Sequence, residues 1–234
     1  MVPILNSEQK LILQKYSLFY HLLADETKQI FEIRLALFLK NIKIEGIRGL
    51  EVNEEIRVIT AISPIIMTIG LDEFIPQQFI EIYLFPDAFI SPLIGDFALF
   101  EIHLSGKLFV SWRHTLMALS APDQYISPLT MAWAIAYFQE HYMSPISYFK
   151  NSPRSLANSL NNGTMDFMFA SGSKLLIPNQ LVYCRNYLQY FFALCIDYYF
   201  NSPQVFSINA PVLMAELDEV LGFSIREIID SQRS

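Results

Sequence analysis

The segment from Asn186 to Phe200 (NYLQYFFALCIDYYF) is apolar on nearly all sides. A helix formed there has no face to offer water, so the fold has to enclose it. The chain has the means. It is 234 residues long, near the upper end for one domain, with 53% hydrophobic, 14% aromatic and only 17% charged residues. That balance describes a folded, apolar-rich globule and excludes disorder. The net charge is −7 with no long basic run, which gives a nucleic acid nothing to bind.

The mean hydropathy of +0.31 raises the question of a membrane. The richest runs, Val58 to Leu71 and Leu129 to Phe138, fall short of the roughly 20 apolar residues that a spanning helix needs. The first of them also contains Pro64. The N-terminal MVPILNSEQK lacks a basic region ahead of an apolar one, so no signal peptide is expected and the reading is cytoplasmic. Cys184 and Cys195, the two cysteines, read as buried thiols in a reducing compartment. Asn162-Gly163-Thr164 matches a glycosylation sequon, which carries no weight without secretion.

Punctuation along the chain predicts helices, then a small sheet, then helices, an α+β arrangement in one domain. Ser7 is the expected cap of a helix through Leu11, Lys15 and Phe19, and Asp25 the cap of a second. In the second, Phe31, Leu35, Phe38 and Ile42 share one face, and Gly46 and Gly49 end it. Asn53 caps a third helix with Glu54 and Glu55 in its first turn, which Pro64 interrupts and Gly70 closes. Phe79 to Phe85 (FIEIYLF) alternates as a strand does. Ala98 to Trp112 (ALFEIHLSGKLFVSW) reads as a hairpin turning at Ser105-Gly106. Ser127 caps a helix with Pro128 at its first position, running to about Met143; Asn209 begins a last helix that Gly222 ends. The helical N-terminal part spans about 1–75, the sheet about 79–112 and the helical C-terminal part about 127–222.

A series of short matches, in order along the chain, resembles one known family. They are Phe31 to Leu39 (FEIRLALFL), Gly46 with Gly49-Leu50-Glu51, Glu55 to Ile59, Gly70-Leu71, Phe85 to Ile90 (FPDAFI), Phe109 to Trp112 and Phe191 to Phe200. Together these resemble the zinc-dependent peptidases related to Mlc titration factor A. The resemblance implies a zincin-like metallopeptidase fold, mostly helical with a small sheet. In that family one helix carries HExxH and a glutamate on a later helix completes the zinc site. The spacing has a physical reason: histidines at i and i+4 share a helical face and reach one Zn²⁺ at about 2.0–2.1 Å, with the intervening Glu as general base.

Aligned on that pattern, this chain has Ala132 and Ala136 where the histidines belong and Trp133 where the base belongs. No other register repairs it, because no two of His21, His103, His114 and His141 lie four residues apart. Tyr190 falls at the third ligand, with Gln189 beside it and Asp197 two turns farther on. The expectation is therefore a degenerate relative with no catalytic residues, no zinc or other cofactor and no peptidase activity.

Its implied role, by analogy with a family prototype that binds a transcriptional repressor, is to hold a protein or peptide in the former substrate cleft. No nucleic acid or membrane is expected as a partner. In zincins an edge strand above the active helix pairs with extended substrate, and the hairpin Ala98 to Trp112 is the candidate for it. Phe100, Ile102, Trp133 and Tyr190 are the candidate cleft-lining residues. The alternatives are an active metallopeptidase with a rebuilt metal site and a binder of small apolar ligands.

Each of these positions also has a plainer reading. Ala132, Trp133 and Ala136 are expected to be packing rather than a remodelled pocket, since alanine is the best helix former and a buried indole contributes mainly through its area. Glu140 and His141 are adjacent on a helix and do not face each other, so a solvated helix end is expected in preference to an acid/base pair. His103 and His114 are expected to be hydrogen-bonded structural residues, and the aromatics of Tyr190 to Phe200 core. There is no GxSxG, glycine-rich phosphate loop, CxxC or calcium loop. A Ser-His-Asp set leaves no local signature to read.

Overall fold

The computed structural model describes residues 3–142, apart from 73, 75 and 104, and residues 188–231. Cys184, the sequon at Asn162 and the ends read at Met143 and Asn186 lie outside the described residues. The first helices are α1 (Ser7–Tyr16), α2 (Leu18–Leu22) and α3 (Asp25–Asn41). Asn6, not Ser7, caps α1 through a reciprocal pair: Gln9 N donates to Asn6 Oδ1 and Asn6 N to Gln9 Oε1, both at 2.9 Å. The predicted long helix divides at Ser17, whose backbone turns extended and whose hydroxyl accepts from Tyr20 N to start α2. Helix α3 begins after Ala24 without a side-chain cap, and Asp25 sits in its first turn instead. Phe31, Leu35 and Phe38 are fully buried along its predicted face.

Strand β1 (Lys43–Gly46) follows α3, where only a helix break was expected. Helix α4 (Glu54–Thr68) is capped by Asn53 as predicted, with Ile56 N donating to Asn53 Oδ1 at 2.9 Å. It runs through Pro64 without stopping, although a proline interior to a helix costs a hydrogen bond. Ten of its side chains are buried, Pro64 among them, and that packing outweighs the local preference.

Strands β2 (Glu81–Phe85), β5 (Phe100–His103) and β6 (Lys107–Ser111) join β1 in a four-stranded sheet of order β1-β2-β6-β5. The first three positions in that order are parallel, and β5 is antiparallel at the edge. The predicted hairpin is thus present, turning at Gly106 with φ +83°. Trp112, assigned to the strand by its pattern, instead opens α5 (Trp112–Ser120). One face of the sheet buries Ile44, Ile82, Leu84, Leu108 and Val110. The other carries an aromatic row in which Tyr83 stacks on Phe109 at 5.4 Å and Phe85 on Phe89 at 4.3 Å. A small antiparallel pair, β3 (Phe89–Ile90) and β4 (Phe97–Ala98), lies at that end.

Helix α6 (Pro128–Tyr142) packs on β5 and β6, on α4, and on α7 (Leu188–Asn201). Three further helices follow: α8 (Pro203–Asn209), α9 (Pro211–Leu221) and α10 (Ile225–Ser231). Asn209, read as the start of the last helix, ends α8, and Gly222 closes α9 in the left-handed region. Helices and a small mixed sheet make this an α+β protein. A single cluster of buried apolar residues runs from Leu5 to Ile225. No helix among the described residues is long and apolar enough to cross a membrane.

The ends of α4 and α9 meet backbone to backbone. A Cβ on Gly70 would lie 2.4 Å from Leu221 O and 2.8 Å from Gly222 C. Gly70→Ala is therefore expected to destabilise the fold by about 1–3 kcal/mol, an overpacking cost readable by urea unfolding.

Candidate functional site

Successive residues of a helix point about 100° apart, so α6 presents distinct faces. Ala132, Ala136 and Gln139 lie within about 60° of one another. That face is turned to α7, where Gln139 Nε2 donates to Gln189 Oε1 at 3.3 Å. Trp133 belongs to the next face with Thr130 and Tyr137. There Thr130 shares a hydroxyl contact with Ser63 of α4 at 3.3 Å, and the Trp133 ring meets Phe38 of α3 edge-on at 5.4 Å. The two helices run antiparallel. At the opposite end from Gln139, the fully buried Asp197 of α7 accepts from Ser127 N at 3.0 Å and from Asn201 Nδ2 at 2.8 Å. Asp197 thereby anchors the start of α6, which Ser127 caps through Thr130 N as its position predicts.

Ala132 and Ala136 are 0% exposed and Trp133 2%. Tyr190 is partly buried, and its ring lies 6.1 Å from that of Phe100 on the edge strand. Phe100 pairs with Val110 and Ile102 with Leu108, so both project to the buried side of the sheet. The structure therefore gathers Phe100, Ile102 and Tyr190 and places Trp133 elsewhere, against α3 and α4. The Trp133 Nε1 proton has no hydrogen-bond partner. The indole borders a cavity of about 20 Å³ shared with Pro64, Met67, Tyr137, Glu140 and His141.

Glu140 is not a solvated helix end. Its carboxylate accepts from Gln77 N at 3.3 Å, Gln78 N at 2.6 Å and Phe79 N at 3.3 Å, holding the approach to β2. The His141 ring lies 4.3 Å from the Tyr137 ring. His103 Nε2 is 3.5 Å from Glu101 Oε1, and Glu101 in turn accepts from the buried Ser91 hydroxyl. His21 Nε2 contacts Gln14 O at 2.6 Å.

Among the described residues a Ser-His-Asp grouping occurs, invisible to sequence reading because its members come from separate segments. His114 Nδ1 is 2.8 Å from Ser111 Oγ and 3.6 Å from Asp87 Oδ1. A catalytic triad needs the serine and the acid on opposite ring nitrogens, and here both address the same one. Ser111 is also 0% exposed and out of reach of a substrate. The grouping is structural.

The positions that the family resemblance aligns with the zinc site are Ala132, Ala136, Trp133 and Tyr190. They present two methyl groups, an indole and a phenol, and among the described residues no group of three or more His, Cys, Asp or Glu is placed to hold a metal ion. Zinc takes thiolate, imidazole or carboxylate ligands, so the residues do not fit it.

The sequence model of the glucose-regulated metallopeptidase M90 family matches residues 3–125, more than half of the chain. The chain belongs to that family. No curated protein matches it. The M90 match takes in the whole sheet with its edge strand and ends three residues before α6 begins.

Two outcomes follow for this M90 chain. Trp133→Ala is expected to cost about 3–5 kcal/mol. Trp133→Phe is expected to cost clearly less, because it also removes the unpartnered indole N–H; urea unfolding of both variants checks the order. Burial lowers the His114 pKa from its ordinary 6.5, with Asp87 opposing and Arg113 reinforcing. The folded protein thus takes up this proton less readily than the unfolded chain. His114's contribution is intact above 6.5 and is lost as pH falls below it. His114→Gln is expected to flatten the fall in stability between about pH 7 and about pH 5, measured by denaturant titration across that range.

Proposed function

We propose that this M90-family protein is a zinc-free, catalytically inactive relative of the zinc-dependent peptidases, built on a zincin-like fold, and that it holds an extended protein or peptide segment along β5. The observation that carries the reading is the face of α6 turned to α7. It lies against a second helix, as a metal site built on two helices would need, and offers there the methyl groups of Ala132 and Ala136 and the amide of Gln139, none of them a zinc ligand of the family's kind. The residue at the general-base position, Trp133, is an indole packed on Phe38 of α3.

The sheet supports the binding half of the proposal. Strand β5 is at one edge of the sheet, antiparallel to its neighbour, and lies on α6. An edge strand can pair its main chain with an extended segment, and this affinity needs no metal. Phe100 and Tyr190 close the space beneath it, which leaves the main-chain edge rather than a deep pocket for recognition.

Two measurements test the two halves. Elemental analysis of the purified protein is expected to give far less than one zinc per chain; a stoichiometric zinc that survives dialysis would mean an active site rebuilt elsewhere. Extended peptides rich in β-branched residues are expected to slow amide exchange in Phe100 to His103. Unchanged exchange there, with protection in another element, would remove the edge-strand assignment.

Rebuilding the ligands tests the fold. Ala132→His, Ala136→His and Tyr190→Glu together, with Trp133 kept, are expected to confer zinc binding that raises the melting temperature. Each histidine enters a closed site at an overpacking cost of about 1–3 kcal/mol, so the variant is expected to be weak without metal. A variant that folds and shows no zinc-dependent shift would mean that α6 and α7 are not at zincin distance.

A further inference from the structure

At the end of α6 away from Glu140, a cavity of about 600 Å³ opens between α1–α2, α4, the α5–α6 connection and the start of α8. This size lies in the range of small-molecule sites. Its walls are mainly apolar, with Phe19, Ile62, Ala118 and Ile225 buried and Leu18, Leu119 and Val205 exposed at the rim. Four of its polar residues are themselves buried: Ser17, Ser127, Thr130 and Ser202, each at most 7% exposed.

The hydroxyl protons do not all find acceptors within the protein. Ser202 donates to Asp123 Oδ1 at 2.6 Å, and Ser63 and Thr130 share one contact. Ser127 Oγ accepts from Thr130 N, and Ser17 Oγ accepts from Tyr20 N. An O–H donor is left over on Ser17, on Ser127 and on one of the Ser63–Thr130 pair. Buried donors of this kind are stabilised by an acceptor. No Lys, Arg or His is among the described residues lining the cavity, so nothing there offsets an anion. Its one acid, Asp123, is exposed at the mouth and already bonded to Ser202.

We propose that this cavity is a binding site for a neutral, largely apolar small molecule carrying a carbonyl or ether oxygen, which accepts from the Ser17, Ser127 and Ser63–Thr130 hydroxyls. The site is separate from β5 and stands independently of the function proposed for that strand.

Three ten-carbon probes with different heads test it on the full chain: methyl decanoate, decanoate and decyltrimethylammonium. Methyl NMR titration is expected to show saturable shifts on Ile62, Ile66 and Ile225 with methyl decanoate, at an affinity at least about tenfold above either charged probe. Thr130→Val keeps the shape, removes one hydroxyl and is expected to weaken the ester about threefold to tenfold. Leu119→Trp, at the partly exposed rim, is expected to weaken all three probes and covers the case in which Thr130→Val does not fold. Equal or tighter binding of decanoate or of the ammonium overturns the assignment of a neutral acceptor. Absence of saturable shifts, shifts confined to another part of the molecule, or an ester affinity unchanged in Leu119→Trp overturns the site itself.

Discussion

The enclosure of α6 governs this molecule. From Leu129 to Phe138 every side chain is buried, and the sheet, α4 and α7 each take a share of the circumference. A helix so surrounded has no solvated face to define its orientation, so its rotation is set by what each neighbour can accommodate. Small residues, Ala132 and Ala136, face α7 and let the two helices approach. The bulky Trp133 packs on Phe38 of α3, and Tyr137 stacks on Phe192 of α7 at 6.4 Å. Polar ties lock the ends: Asp197 on Ser127 N at the start, and Glu140 on the backbone of 77–79 near the finish.

That arrangement bears on the three positions of α6 that the family resemblance aligns with HExxH, Ala132, Trp133 and Ala136. In an HExxH helix the base lies about 100° around from the first histidine and about 60° from the second, and all three side chains must be turned to a shared opening. Here that sector is divided between two packed interfaces. The residues now present make the helix a structural axis, with alanines that favour helix and an indole that contributes buried area. The indole's unpartnered N–H is the local cost of that packing.

Much of the scaffold was legible in the chain because it is encoded locally. Asn53, Ser127-Pro128 and Gly222 mark element ends by short-range chemistry, and the Ser105-Gly106 hairpin follows from alternation and a turn. What was missed depends on distant neighbours or on weak local preference. Strand β1 is four residues of mixed charge with a terminal glycine (KIEG), a pattern that says nothing until β2 lies beside it. Pro64 was read by its local cost, which burial overrode. The start of α5 was hidden because Phe109 to Trp112 continues the strand's alternation. Glu140 was misjudged for a similar reason: its partners are more than sixty residues away, and its carboxylate could look solvated only in isolation. The direction of Trp133 required knowing which helix lies on which side of α6, which no single-segment pattern contains.

The extent of the family likeness fits this division between frame and chemistry. Residues 3–125 carry α4, the sheet and the edge strand, whereas both helices that would supply metal ligands lie beyond the matched stretch. A catalytic metal site asks for buried polar ligands, each needing its own second partner to hold it in place. Such groups are destabilising until the metal is bound, so a core free of them can stand without it. In this chain the contacts that hold α6 include apolar packing, the Ser63–Thr130 and Gln139–Gln189 contacts and two carboxylate–backbone ties, none of which requires an ion. Packing of this kind holds a helix in place whether or not any chemistry is attached to it, and it is the feature on which the frame around α6 depends.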